Sequence, residues 1–418
     1  KRTEPPGPAA LARPAVTGTA ATGPAVIAVM PLRAMGPETD SFLGEIVTED
    51  VAAHLSRDRG IAVAAAVPSV PAGAASAPHP GADATCGARY LVEGSVRRAR
   101  DRLLVTVRLV DAVDRRHLWT EWCEQDLDTG WAVGSQVASR IAATVRCEVE
   151  AAEARRALRL PEAEIDAWSA YYLGLQDLYR FTRPGLAAAR SRFQRAIELD
   201  PHMATAHARL AYVHIQSYWY GPREERDAAL RAADACARQA IDLDPKEALG
   251  YFALGRIHAI RRQFTLAMPE FETAIALNPS FAQAYFGLGQ AHWYADRPGE
   301  AVRLLERAIE VDPRDPHLWA FLHDQADAYY ALGRLDDAER CARAAARLPN
   351  ATHWPLATLA SILGSAGRRE AARDTAGLLL ARRPDYGASV VAEEFAHLEN
   401  KSFVGTYAEG LRLAGMAP

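Results

Sequence analysis

A segment that repeats itself after 34 residues constrains the fold of this chain more than any other feature. Ala248–Gly255 reads ALGYFALG, and Ala282–Gly289 reads AQAYFGLG. A second pattern follows each of these segments: an alanine, a large apolar residue, another alanine and a proline. It occurs at Ala267, Phe271, Ala274 and Pro279, and again at Ala301, Leu305, Ala308 and Pro313. This spacing predicts two helices per unit, the second ended by its proline. Because one helix pair cannot bury both of its apolar faces, the units are expected to stack on one another.

The period and the order of residue types resemble the tetratricopeptide repeat (TPR), a two-helix unit of about 34 residues. Less regular units of the same kind are predicted on both sides, which gives about six units over residues 163–384. The resemblance implies a right-handed α-solenoid in which the first helix of each unit lines the concave face. Residues 385–418 are predicted to cap the last unit. The residues expected to cover its exposed face are Phe403, Tyr407, Leu411 and Leu413.

Residues 25–158 have a different pattern and are predicted to form a small α/β domain. Short apolar runs and alternating stretches predict the strands, and four-residue apolar steps predict the helices. The predicted strands are residues 25–31, 61–67, 89–96, 103–110 and 117–123, and the predicted helices are residues 41–57 and about 131–158. The predicted fold class is therefore α+β and multidomain, mostly α-helical, with a small α/β domain followed by a solenoid.

Several phrases of this first domain resemble the TolB amino-terminal-like domain, as it occurs fused to TPR arrays in bacterial signalling proteins. The phrases are Ile27–Leu32 (IAVMPL), Ile46–Asp50 (IVTED), Tyr90–Arg98 (YLVEGSVRR), Leu109–Asp111 (LVD) and His117–Trp119 (HLW). The family usually has a helix before the strand at Tyr90, whereas residues 68–88 are rich in Pro, Ala, Gly and Ser and predict a loop. The sequence therefore does not indicate which element covers one face of the sheet.

Charge and composition point away from several kinds of partner. A net charge of −4 gives no basic surface for nucleic acid, and no apolar run approaches the length of a membrane span. Residues 1–24, rich in Pro, Ala, Gly and Thr, are predicted to be a disordered linker. We expect a protein or peptide partner, a monomer or weak dimer, and no contact of this chain with nucleic acid or membrane. The expected location is cytoplasmic, or extracytoplasmic if a membrane helix lies upstream of Lys1.

Motifs for catalysis or metal binding are missing from the sequence. There is no phosphate-binding loop, His-Glu-x-x-His, Cys-x-x-Cys or Gly-x-Ser-x-Gly motif, and the five cysteines are widely spaced. His214, His258 and His292 recur at equivalent positions, but stacked helices hold such residues about 10 Å apart, which is too far for one metal ion. We therefore predict no enzyme activity, no cofactor and no metal site.

The pairing of the two domains resembles the regulatory or sensory part of bacterial signalling proteins. In such proteins the effector is typically a class III adenylate cyclase domain or a winged-helix DNA-binding domain upstream, so this chain could be the C-terminal part of either. Another alternative is a sensor of a small ligand or glycan that uses the α/β domain as its pocket.

The binding groove is predicted from the positions of the first helices that face away from their own core. These positions are Phe252, Arg256, Phe286, Gln290, Trp293, Tyr294, His323 and Tyr330. Aromatic and arginine residues dominate binding energy at interfaces, so the groove is expected to hold an extended or helical segment. This prediction requires exposed rings at Phe252, Phe286 and Trp293. The alternative is that the rings pack against neighbouring first helices and the groove is narrow.

A second candidate is a contact loop that interrupts the second unit. It consists of Tyr218, Trp219 and Tyr220, followed by Gly221 and Pro222. Three large aromatic side chains in a loop form either an exposed contact patch or a cover that packs over the helix pair.

Overall fold

The computed structural model describes residues 23–36, 41–64, 87–126 and 132–416. Most of the predicted linker 1–24 and of the predicted loop 68–88 lies outside these ranges. Across the ranges that are described, no helix is both long and apolar enough to cross a membrane. The molecule is mostly helical and carries a small mixed sheet near its N-terminus, as the sequence predicts.

The α/β domain is built on one mixed sheet and two helices. The strands are β1 Ala25–Val29, β2 Arg33–Ala34, β3 Ile61–Ala64, β4 Tyr90–Ala99, β5 Arg102–Asp111 and β6 Arg116–Asp126, and the helices are α1 Ser41–Leu55 and α2 Ala132–Ala157. The strand order is β3-β1-β4-β5-β6, with β2 beside β4. Strand β1 runs parallel to β3 and β4, and β4, β5 and β6 form an antiparallel meander. Strands β4 and β5, which correspond to the predicted strands 89–96 and 103–110, therefore form a hairpin.

One face of this sheet is covered and holds the core of the domain. Alternate residues of β5 point to this face and are buried there, because successive side chains of a strand point to opposite sides. They are Leu103, Val105, Val107 and Leu109. Val51 of α1 and Ile141 of α2 belong to the same apolar core. On the opposite face a small apolar cluster surrounds Leu91, and Trp122 is 70% exposed.

The remaining helices form six successive pairs and a C-terminal segment. The pairs are α3 Ala167–Leu178 with α4 Arg183–Leu199, α5 Ala204–Tyr220 with α6 Arg226–Leu243, α7 Ala248–Ile260 with α8 Phe264–Leu277, α9 Ala282–Tyr294 with α10 Pro298–Val311, α11 Leu318–Ala331 with α12 Leu335–Ala346, and α13 Trp354–Ser365 with α14 Arg369–Arg382. The C-terminal segment contains α15 Ala388–Glu394 and α16 Lys401–Leu413.

The Leu-Gly signature of the repeat has a direct packing cause. A Cβ atom at Gly255 would lie 2.8 Å from the ring of Phe271, and one at Gly174 would lie 2.7 Å from the ring of Phe193. Both rings are fully buried. The glycine therefore lets the two helices of a pair approach closely enough to enclose the large side chain of the second helix.

The α/β domain rests on one edge of the solenoid, where the turns between successive units lie. Arg59 forms an ion pair with Asp244 at 2.6 Å, and Nδ1 of His54 is hydrogen-bonded to the hydroxyl of Ser280 at 2.7 Å. Arg146 of α2 lies 3.4 Å from Asp312. These solenoid residues belong to the turns after α6, α8 and α10, so three successive units contact the same domain.

The C-terminal segment folds back onto the solenoid, and α16 packs against α13. Of the four residues predicted to cover the last unit, Phe403, Tyr407 and Leu411 are buried, whereas Leu413 is 41% exposed. Leu413 lies on the outer side of α16 beside exposed Arg412, whereas the next residue, Ala414, is buried. Its predicted role as a covering residue is therefore wrong.

Candidate functional site

The candidate site is a cavity on the concave face of the solenoid. First helices of neighbouring units contact one another along this face, α5 with α7, α7 with α9, α9 with α11, and α11 with α13. Side chains from these five helices and from the C-terminal segment line a space of about 90 Å³ that water can reach, and about 780 Å³ is empty when its opening is included. We call this space the concave cavity.

Most of the predicted groove residues meet in this cavity. The predicted residues that line it are Arg256, Phe286, Gln290, Trp293, Tyr294 and His323. Phe252 instead packs between Phe271 and Phe281, at ring-centroid distances of 5.8 and 5.3 Å. The hydroxyl of Tyr330 forms hydrogen bonds with the hydroxyls of Ser361 and Ser365 at 3.1 and 2.6 Å. These two residues hold helices together behind the cavity wall.

The expectation that the groove is open to solvent is wrong. Phe252, Phe286 and Trp293 are only 1%, 5% and 2% exposed. Phe286 stacks on the ring of Phe321, with centroids 4.9 Å apart, and Phe403 of α16 meets Trp293 at 4.8 Å. The physical reason is twofold: Phe252 and Phe286 pack against residues of neighbouring repeat helices, as in the alternative of a narrow groove, and the C-terminal segment covers Trp293.

The predicted contact loop is also wrong in its conformation. Tyr218, Trp219 and Tyr220 form the last turn of α5, which continues until Gly221. Their side chains are half-buried, and Trp219 and Tyr220 line the concave cavity. The ring centroid of Tyr220 lies 5.7 Å from that of Trp354, which begins α13. This turn therefore connects the second unit to the sixth across the concave face.

Three side chains at equivalent positions of successive units form a hydrogen-bonded row along the cavity wall. Arg256, Gln290 and Asp324 lie on α7, α9 and α11, and each follows the one before by 34 residues. Nη1 of Arg256 donates to Oε1 of Gln290, and Nε2 of Gln290 donates to Asp324 at 2.6 Å. Asp324 is not among the sequence-derived site residues, although the period that relates it to Gln290 is the signal that could have identified it.

Two buried carboxyl groups stand side by side at the end of this row. Burial raises the pKa of Asp324 to about 7, although Gln290 and Arg256 act to lower it. The pKa of Asp327, one turn farther along α11, is also raised, by burial and by the neighbouring Asp324. The ring Nε2 of His323 lies 3.9 Å from Asp324 and 3.7 Å from Asp327. Since burial lowers the pKa of His323 to about 4, this ring supplies no positive charge near neutral pH.

A second polar cluster closes the solenoid from the opposite wall. The hydroxyl of Tyr212, in the second unit, forms a hydrogen bond of 2.8 Å with Nε2 of His317, the residue just before the fifth unit. Nδ1 of His317 lies 3.0 Å from the carboxylate of Asp315. Burial acts to raise the pKa of Asp315, but the hydrogen bonds and charge interactions with His317 and Arg146 together outweigh burial, and the pKa is lowered. Residues 105 positions apart in sequence are thus joined across the concave face.

Two hydrogen-bond donors on the cavity wall have no acceptor among the residues that the structure describes. They are Nε1 of Trp319 and Nε of Arg256, both buried, on side chains that line the cavity. The indole of Trp319 stacks on that of Trp354, with centroids 5.9 Å apart and an angle of 16° between the planes. Buried polar atoms are nearly always hydrogen-bonded in proteins, so these two donors call for an explanation.

Sequence comparison identifies the repeat class. Family models of the tetratricopeptide repeat match residues 224–280 and residues 260–324 and 292–351. The middle of the chain therefore carries tetratricopeptide repeats, in a solenoid of the kind that serves as a protein-interaction scaffold.

A curated protein from Rhizobium meliloti (strain 1021), named "Putative adenylate cyclase 3", is 29% identical over 232 residues. That match covers 54% of this chain and 39% of the relative, so this chain spans about two-fifths of the relative's length.

Solved repeat proteins are similar to this chain in part of their structure. The Cut9–Hcn1 hetero-tetramer of APC/C gives a TM-score of 0.46 at 15% identity, covering 63% of this chain and 47% of that one. PilF of Pseudomonas aeruginosa gives 0.39 at 20% identity, covering 55% and 96%. YrrB, a TPR protein described as having an unusual peptide-binding site, gives 0.32 at 19% identity, covering 48% and 97%. The TolB-like identity of the α/β domain stays a prediction.

Proposed function

We propose that this chain is a non-catalytic regulatory and interaction module of a signalling protein, and that its concave face binds an amphipathic protein helix. The observation that supports this most strongly is the position of α16. This helix already lies on the concave face, with Phe403 and Tyr407 buried one turn apart. The occupant is the chain's own C-terminal helix, and a partner helix of similar chemistry would replace it. Binding of an apolar helix face in a groove is a common mode of peptide recognition.

The contacts of α16 define what such a partner must present. Phe403 meets Trp293 and Tyr330, at centroid distances of 4.8 and 5.6 Å. The hydroxyl of Tyr407 lies 3.2 Å from that of Thr358. The opposite side of α16 carries exposed charged residues, among them Lys401, Glu409 and Arg412. A competing helix would therefore need two aromatic anchors four residues apart and a polar outer face.

Close backbone contact with α13 makes the position of α16 sensitive to single substitutions. A Cβ atom at Gly410 would overlap the carbonyl oxygen of Ser361, and one at Gly364 would overlap the carbonyl oxygen of Gly410. Gly405 lies in the same helix but would place its Cβ in open space. The two glycines of α16 thus provide a variant that lifts the helix from the groove and a matched control.

The proposal is tested with a fluorescent peptide that has the sequence of residues 399–416. We expect it to bind the Gly410→Leu chain and to bind the parent and Gly405→Leu chains at least about tenfold more weakly, because their groove is occupied. A peptide with Phe403→Ala and Tyr407→Ala should not bind. A chain carrying those two alanine substitutions is a second acceptor that opens the groove without overpacking. If hydrogen exchange shows α16 released in either acceptor while the peptide does not bind, the concave face is not a helix-binding surface.

We further propose that the regulated effector is an adenylate cyclase, on the basis of the relative from Rhizobium meliloti. The repeats themselves belong to a class that typically serves as scaffold, so this chain alone should not convert ATP. Incubation of the purified chain with ATP and Mg²⁺ or Mn²⁺ is expected to give no cyclic AMP above a blank. Product formation that scales with protein concentration would contradict the assignment of this chain as non-catalytic.

A further inference from the structure

We propose that the concave cavity binds a small organic cation, whose ammonium group lies among the aromatic rings and beside the carboxyl groups of Asp324 and Asp327. The ligand would fill space that α16 leaves empty, so this inference does not depend on the binding of a partner helix. It rests on three features of the cavity: its aromatic walls, its unpaired carboxyl groups and its unsatisfied donors.

The walls of the cavity are mainly aromatic. Ten of its twenty lining residues are Phe, Tyr or Trp. At one end, Trp319 stacks on Trp354, and Trp219 meets Trp354 edge to face at 6.4 Å. The faces of such rings attract cations, and tryptophan does so most strongly, which is why aromatic cages recognise quaternary ammonium groups. Aromatic walls alone would also accept a neutral apolar ligand, so the polar groups decide between the two.

The two aspartates favour a cation over a neutral ligand. Within the described part of the chain, neither Asp324 nor Asp327 forms an ion pair with an arginine or lysine, and their hydrogen bonds come from the neutral side chains of Gln290 and Thr358. Arg256 forms no ion pair with either and lies over the ring of Phe286. A buried carboxylate without a cation is costly, and a bound ammonium group would offset that cost.

The unsatisfied donors indicate a second feature of the ligand. Trp319 is 4% exposed and Arg256 is 6% exposed, and each has a buried nitrogen that finds no acceptor in the described part of the chain. An oxygen atom of the ligand would satisfy either donor. A compact molecule with an ammonium group and one oxygen function, such as choline or glycine betaine, has this chemistry. The part of the cavity that water can reach is about 90 Å³, several times the roughly 10–15 Å³ that one water needs, so the ligand must be compact.

The test measures binding to the full chain by calorimetry, with tryptophan fluorescence as a second readout because four tryptophans line the cavity. The probes are tetramethylammonium, choline, glycine betaine and the carbon isostere of choline, in which a tert-butyl group replaces trimethylammonium. We expect at least one of the three ammonium compounds to bind, and choline to bind at least about tenfold more tightly than its isostere. Equal affinity for choline and the isostere, or no binding of any of the ammonium compounds at millimolar concentration, would overturn the proposal.

Two matched substitutions test whether the cavity carboxyl groups hold the cation. Asp324→Asn keeps the size of the side chain and an acceptor for Gln290, and it should weaken ammonium binding at least about tenfold. Asp327→Asn is the second variant if the first does not fold. Glu247→Gln is the control, because Glu247 is a buried carboxyl group with a pKa raised to about 7 that lies outside the cavity. Unchanged affinity in both aspartate variants, or an equal loss in the control, would show that the cavity carboxyl groups do not hold the cation.

Discussion

Ionisable groups are buried in two regions of the molecule, the junction between the α/β domain and the solenoid, and the concave cavity. The two regions differ in whether these groups have charged partners. At the junction Arg146 lies between three carboxylates, 3.2 Å from Glu150, 3.5 Å from Asp58 and 3.4 Å from Asp312. In the cavity, Asp324 is buried and forms no ion pair with an arginine or lysine among the described residues, and the ring of His323 lies 3.9 Å away. Buried charges that are paired and hydrogen-bonded are tolerated in a folded protein, whereas an unpaired one destabilises it.

This difference separates a structural role from a binding role. At the junction Arg146 is paired with carboxylates without any ligand, and the network joins elements that are far apart in sequence, such as α2 and the turn after α10. Among the described residues, Nη1 of Arg209 and Oε2 of Glu247 beside this network are nevertheless buried without a hydrogen-bond partner. The cavity lacks a cation that its aspartates would favour and acceptors for two of its donors. A site that is satisfied only when occupied is what a binding function requires, so the two regions should respond in opposite directions when a charge is removed.

The largest effect is expected at the junction. Arg146→Met removes the positive charge that lies between three buried or partly buried carboxylates, and it should lower the free energy of unfolding by about 3–5 kcal/mol. Urea titration followed by circular dichroism measures this loss. The control is Arg314→Met, because Arg314 pairs with Glu148 at 3.0 Å at the exposed rim of the same junction, where an ion pair contributes about 0–1 kcal/mol. Similar losses in the two variants would contradict the distinction.

An intermediate effect is expected where α16 enters the concave face. Gly410→Ala places a methyl group against backbone atoms of α13, and overpacking of this kind costs about 1–3 kcal/mol. Gly405→Ala meets no neighbouring atom within 4 Å, so the better helix propensity of alanine should raise stability by up to about 1 kcal/mol. Thermal melting distinguishes the two by sign. Stabilisation by both substitutions would mean that α16 does not pack closely on α13.

An effect of the opposite sign on stability is expected when the charge of Asp324 in the cavity is removed. The pKa of Asp324 is raised above its usual value to about 7, so the folded chain binds the extra proton between about pH 4 and pH 7 and loses stability as pH rises through that window. Asp324→Asn removes this loss. Its free energy of unfolding should exceed that of the parent at about pH 8, by up to the ~4 kcal/mol that a shift of about three pKa units represents, with little difference at about pH 4.

The same titration predicts how cation binding depends on pH. Affinity for choline should rise from about pH 6 to about pH 8, because the ionised carboxylate attracts the ammonium group. The other ionisable groups that line the cavity are Arg256, His317, His323, Asp327, Glu394, His397 and the tyrosines Tyr212, Tyr220, Tyr294 and Tyr407. Burial lowers the pKa of His397 to about 3 and raises that of Asp327. Asp324 should therefore dominate the change, and a pH dependence that persists in Asp324→Asn would assign it to another group.

Sequence patterns could predict the helix pairs because each pair is a local structure. The glycine at Gly255 and the ring at Phe271 are only 16 positions apart, and their fit recurs from unit to unit. The mixed sheet was predictable for a similar reason, since alternation in β5 states which residues face the core. Six of the eight predicted groove residues line the concave cavity, because the period assigns them to one side of the first helices.

The closure of the cavity could not be predicted in the same way. It depends on contacts between residues far apart, such as Trp293 with Phe403 and Tyr212 with His317, and no repeat relates these pairs. The aromatic end of α5 reads like a loop because Gly221 and Pro222 follow it, yet the helix continues to the residue before them. The burial of Trp293 follows from the path of the C-terminal segment, which only the assembled fold determines.

The smallest effect is expected on the open face of the sheet. Trp122 is 70% exposed there, on the face opposite to the core that α1 and α2 cover. Exposed side chains without buried contacts contribute little, so Trp122→Ser should change the free energy of unfolding by no more than about 0.5 kcal/mol. Trp119, which is half-buried against the apolar core, is the comparison on the same strand, and Trp119→Ser should cost more because it exposes that core to water. Thermal melting of the two variants measures the difference. A larger loss of stability from Trp122→Ser than from Trp119→Ser would mean that another part of the chain packs on the open face. The comparison between the junction, where buried charges are paired, and the cavity, where they are not, would then have to include a third buried region.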